Sequence, residues 1–154
     1  MKNSWWKVPL YCMAASWICF QLEIRWLGQW AIVTLPDGSI TSDTTRWMIL
    51  STGLFLAVVL IGGLLFFRKM TRKEILFSSS VLAVLNVVLG LLANLIQHSL
   101  PYLTVFWAEL TEWSRIFSQI LSQLGVNPWV SAFLVWLLPP YIFLLFGKKE
   151  NNNQ

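Results

Sequence analysis

The groups in this chain best suited to chemistry fall close together: His98, the only histidine, then Glu109, Glu112 and Arg115. An imidazole beside a carboxylate is a common pair for moving a proton, so His98 with Glu109 or Glu112 would serve as base and acid. Glu112 and Arg115 stand three residues apart, the spacing at which side chains on a helix meet. The plainer reading makes His98 hydrogen-bonded scaffolding and the charges a solvated face. No second His or Cys stands at ligand spacing from His98, so no metal site is expected. No phosphate-binding loop, paired-histidine zinc motif or nucleophile elbow occurs. Catalytic residues therefore stay unassigned, and no cofactor is implied.

A second constellation is polar but uncharged. Ser79, Ala83, Asn86, Gly90, Ala93, Asn94 and Gln97 recur every three or four residues, which puts small and amide side chains on one helical face. Such a face either glues helices together through amide hydrogen bonds or lines a cavity or permeation path. Cys12 and Cys19 are seven residues apart, two turns along one helix. That is too far for a disulfide, so both read as buried free thiols.

The setting of these groups follows from composition. Of 154 residues, 56% are hydrophobic and 12% charged, and mean hydropathy is +0.63, against about 25% charge in a soluble domain. This is an integral membrane protein with no nucleic-acid partner. Its net charge of +4 sits in short clusters beside apolar runs, where topology explains it. The first apolar run ends in Gln21, Glu23 and Arg25 rather than a small-residue cleavage site, so it reads as an uncleaved span.

Four spans are predicted, at about 7–27, 47–67, 75–97 and 129–146, within a single membrane domain over 1–147. Tryptophans 5, 6, 26 and 30 flank the first, as membrane interfaces favour. The second has 21 residues without a charge, about what a hydrocarbon core demands. Arg68, Lys69, Arg72 and Lys73 form the inner topology anchor in the short link to the third. Asn127 and Pro128 open the last span, and Pro139 and Pro140 predict a kink or break within it. Between the first two spans, β-branched runs on either side of Pro36, Asp37 and Gly38 predict an extracytoplasmic β-hairpin over 29–45. Residues 148–154 read as a polar, disordered tail.

The segment 102–124 is long enough to cross but carries three charges. Leu103, Phe106, Leu110, Trp113, Phe117, Ile120 and Leu124 alternate at three and four residues, an apolar stripe opposite a polar side. Burying Glu109, Glu112 and Arg115 in a span costs about 7 to 10 kcal/mol, and the stripe and its aliphatic neighbours return only about 3 to 5. Spanning loses unless other helices satisfy those charges. With four spans, eight cations fall inside and three outside, in the sense that cytoplasmic loops favour. The fold class is thus all-α: four transmembrane helices, one amphipathic outer-face helix and the hairpin, with both termini cytoplasmic in a bacterial-type plasma membrane.

The stripe from Phe106 to Leu124 is then the candidate interaction surface, and Asn86, Asn94, Gln97, His98, Glu109, Glu112 and Arg115 are the candidate functional polar residues. The foremost expectation is an accessory or interaction subunit of a membrane complex. Its partners would be the bilayer and another membrane protein or further copies of itself. The alternatives are a small oligomeric transporter or channel lined by the polar face of the third span, and an outer-leaflet lipid-modifying enzyme built on His98.

Overall fold

The computed structural model describes residues 4–96 and 101–149, and it is mostly helical with one small two-stranded sheet. Helix α1, Lys7–Leu22, runs directly into a π-helical turn at Glu23–Leu27. A short 3₁₀ turn then leads to the hairpin, whose strands β1, Ile32–Thr34, and β2, Ile40–Ser42, pair antiparallel with Ile32 opposite Ser42. Gly38 takes φ +82, a conformation that favours glycine, and the Asp37 carboxylate accepts from the Ser39 amide and hydroxyl at 2.9 and 2.6 Å. These bonds close the turn locally.

Asp43 caps helix α2, Thr44–Ile61, by accepting from the Thr45 and Arg46 amides at 2.8 and 3.2 Å. A second π-helical turn, Gly62–Phe67, continues it. Here a Cβ on Gly62 would lie 2.6 Å from the Tyr11 ring, and one on Gly63 would overlap Phe146, so neighbouring aromatics set the need for glycine. Helix α3, Arg72–Ile96, opens on a reciprocal cap: the Thr71 amide donates to Glu74 at 3.0 Å while Thr71 Oγ1 accepts from the Glu74 amide at 3.3 Å. Helix α6, Pro128–Leu137, is capped by Asn127. Before the two prolines its α-helical ladder ends, and the chain continues as a 3₁₀ stretch over Pro139–Phe146.

Three helices are long and apolar enough to cross a membrane: Thr44–Phe67, Arg72–Ala93 and Pro128–Phe146. Together with α1 they run between two ends. At the basic end, Ser78 Oγ donates to the Trp5 carbonyl at 2.7 Å and accepts from the Val8 amide at 3.1 Å. Lys148 also pairs there with Thr71, its amide donating to the Met70 carbonyl at 3.0 Å. The predicted tail therefore starts one residue later than the sequence suggests, because Lys148 is tied to the base of α3. Residues 150–154 of that tail lie outside the described residues. The opposite end carries the hairpin.

The largest departure from expectation is in 102–124. The sequence predicts one continuous outer-face helix, whereas the structure bends it into α4, Pro101–Thr111, and α5, Arg115–Gln123, around a 3₁₀ turn at Glu112–Ser114. Its middle is folded into the bundle. Ser16 of α1 supplies the bonds that the helix gives up, donating to the Leu110 carbonyl at 2.7 Å and accepting from the Trp113 amide at 3.4 Å. The Ser114 hydroxyl, donating to the Thr111 carbonyl at 2.9 Å, closes the bend from its own side.

Trp113 then lies between Phe55 and Phe143, stacked on each with centroids 5.8 Å apart. The column extends through Phe117 beyond Phe55 and through Phe67 beyond Phe143. This aromatic column is the core around which the helices assemble, and Trp113 is its centre. The predicted stripe is accordingly split by burial: Trp113 is buried and Leu110 and Phe117 half-buried, while Phe106, Ile120 and Leu124 stay exposed.

Candidate functional site

The bend brings together a group that no local pattern could assemble. Arg115 Nη1 donates to Glu112 at 2.8 Å and to Glu23, 92 residues earlier, at 2.9 Å. Glu23 is only 5% exposed, since the π-helical turn that follows α1 rolls its side chain inward. In the sequence Glu23 is only a flank of the first apolar run; the structure makes it the second carboxylate of an internal clasp. The Arg115 guanidinium also lies 5.0 Å from the centre of the Trp47 ring.

Two acids on one guanidinium leave the cluster formally one negative charge in excess. Burial works to lower the Arg115 pKa, but Glu112 and Glu23 outweigh it and hold it above its ordinary value. Both bonds leave from one nitrogen. Nε and Nη2 make no hydrogen bond to the protein among the described residues. Arg115 and Trp47 stand between two open recesses. One, about 310 Å³, is walled by Phe20, Glu23, Ile24 and Ile32; the other, about 330 Å³, by Thr44, Met48, Ser118, Gln119 and Ser122. The Gln119 side-chain oxygen in the second is buried without a partner among the described residues.

Among the described residues, the other candidates are not drawn into this cluster. Asn86 is buried on the opposite side of the bundle, its amide donating to the Trp136 carbonyl at 3.4 Å. Nearby, Ser79 Oγ donates to the Pro140 carbonyl at 2.9 Å, and a Cβ on Gly90 would come within 2.8 Å of Trp136. The small and amide face of α3 thus meets the last helix. Gln97, His98 and the side chain of Asn94 lie outside the described residues. Glu109 is half-buried on α4. Arg68, Lys69 and Arg72 are exposed at the basic end, where Arg72 Nε donates to the Gly147 carbonyl at 3.3 Å and Lys73 is likewise exposed. Cys12 and Cys19 are buried free thiols. No group of three metal-ligating side chains occurs among the described residues.

Local spacing exposes the Glu112–Arg115 pair but not Glu23, Ser16 or Trp47, which reach the bend from other helices. No protein-family model, curated protein or solved structure matches the chain.

Proposed function

We propose that this is a four-span membrane protein with both termini cytoplasmic, acting as a non-catalytic interaction subunit of a membrane complex. The carrying observation is the clasped 101–123 element. Ser16, the aromatic column and the Arg115 clasp hold its middle, while Tyr102, Val105 and Phe106 on α4, Ile120 on α5 and Leu124 just past its end remain exposed. A surface fixed in advance binds without the ordering cost that a loose helix would meet. The fourth span is α1 with its π turn, where the cation distribution supports the orientation.

Transport along α3 is the weaker reading, since the Asn86 amide is already bonded to Trp136. Lipid modification would leave Glu109 as the partner of His98, because Glu112 is held by Arg115. The test is affinity purification from native membranes in mild detergent. Phe106→Ala with Ile120→Ala, both on the exposed rim, should abolish co-purification of a partner while the protein still reaches the membrane. Undiminished recovery of every companion would overturn the reading.

A further inference from the structure

Two recesses lie away from the clasp, along α1 and α2. One, about 410 Å³, is lined by Lys7, Leu10 and Phe67; the next, about 350 Å³, by Ile18, Leu54 and Ala57. Both share Tyr11, Ala14 and Phe66, so they form one groove. Only Tyr11 bridges its floor, donating to the Val58 carbonyl at 2.7 Å and packing its ring on Phe66 and Phe67. The walls from Leu10 to Leu22 are almost wholly apolar over some 12 helical residues, about 18 Å.

The groove has one polar mouth, at the basic end. Lys7 lines it, and Arg68 and Lys69 directly follow Phe66 and Phe67 of its wall. The side chains of Lys7, Arg68 and Lys69 make no hydrogen bond or ion pair among the described residues. The nearest acid along the chain, Glu74, is bonded to Thr71.

We propose that this groove seats one acyl chain of an anionic glycerophospholipid from the surrounding bilayer, its phosphate met by Lys7, Arg68 and Lys69. The inference rests on the membrane reading above. Apolar walls alone would take any lipid tail; the three unengaged cations at the mouth select an anionic head. A membrane cation near the surface contributes about 1 kcal/mol toward anionic lipid, which is about fivefold in binding.

Native mass spectrometry of the detergent-purified protein with added phosphatidylglycerol or phosphatidylcholine tests this. Phosphatidylglycerol should remain bound after washing and phosphatidylcholine should not. Lys7→Gln and Arg68→Gln should each weaken retention about fivefold. Ala14→Phe, which fills the shared part of the groove from an exposed position, should abolish it. Val84→Phe on the exposed face of α3 should leave retention unchanged. Ala57→Phe repeats the filling from α2, should Ala14→Phe elute as aggregate. Equal retention of the two lipids, or retention that survives a folded groove-filling variant, overturns the proposal. Membrane fractionation of the same variants reads separately whether the chain is an integral membrane protein.

Discussion

Arg115 is the residue on which most else depends, because it bonds carboxylates from two parts of the chain that are far apart in sequence. Removing one partner of a buried ion pair costs about 3 to 5 kcal/mol, since the stranded charge has no water to return to. With the Arg115 side chain 41% exposed, solvent recovers part of that, so Arg115→Leu should cost about 3 kcal/mol. Urea or detergent titration of unfolding measures it, and Glu23→Gln in the same background should restore part of the loss. A separate residue-scale effect sits in the hairpin. The Ser39 hydroxyl and amide hold the Asp37 carboxyl below its ordinary pKa. A lowered folded pKa means the turn gains stability above the unfolded value, near 3.9, and loses it as pH falls through the folded one. Protection of the Ser39 amide, measured against free-chain exchange at each pH, should fall only on acidification below about 4, and Asp37→Asn should remove that dependence. Of these groups, Glu112 with Arg115 and the Pro36–Gly38 turn were legible because their partners are close in sequence. Glu23 was not, because nothing in its neighbourhood records a partner 92 residues away.

Among the elements, the bent 101–123 segment shows where periodicity misleads. A stripe at three and four residues is compatible with one helix, and each half of it is helical. What breaks the helix is a serine on another helix, together with an aromatic slot between Phe55 and Phe143 that a straight helix would not fill. Ser16→Ala removes an internal donor and acceptor together and should destabilise the protein by about 1 to 3 kcal/mol. Hydrogen exchange should show the loss concentrated at 110–116 rather than spread over the bundle. Trp113→Ala, emptying the centre of the column, should cost about 3 to 5 kcal/mol. The three helices apolar enough to span were legible because a long uncharged run, 21 residues in the second, constrains a helix regardless of its neighbours. Their π-helical turns stayed hidden, since Gly62 and Gly63 look like ordinary packing glycines until Tyr11 and Phe146 are set against them.

For the molecule as a whole, the two ends differ in chemistry: cations with the stretches around Trp5 and Lys148 at one, the hairpin and the opening of the bend at the other. Single cysteines test that polarity in a background where Cys12 and Cys19 are buried. In intact cells, a membrane-impermeant thiol reagent should label Ile40→Cys on the hairpin and leave Lys69→Cys untouched until the cells are lysed. The reverse pattern would invert the topology. The placement of Trp113 also sets an order of events during synthesis. Its two stacking partners lie on opposite sides of it in the chain, Phe55 made before it and Phe143 after. A nascent chain that has emerged as far as Gly125 holds α1, α2 and α3 but only half of the slot, so 101–123 has to wait for the last helix to arrive. Stalled chains in which residue 126 is followed by an unstructured linker long enough to clear the ribosome should therefore leave Arg115 open to protease, and the same linker placed after Phe146 should protect it.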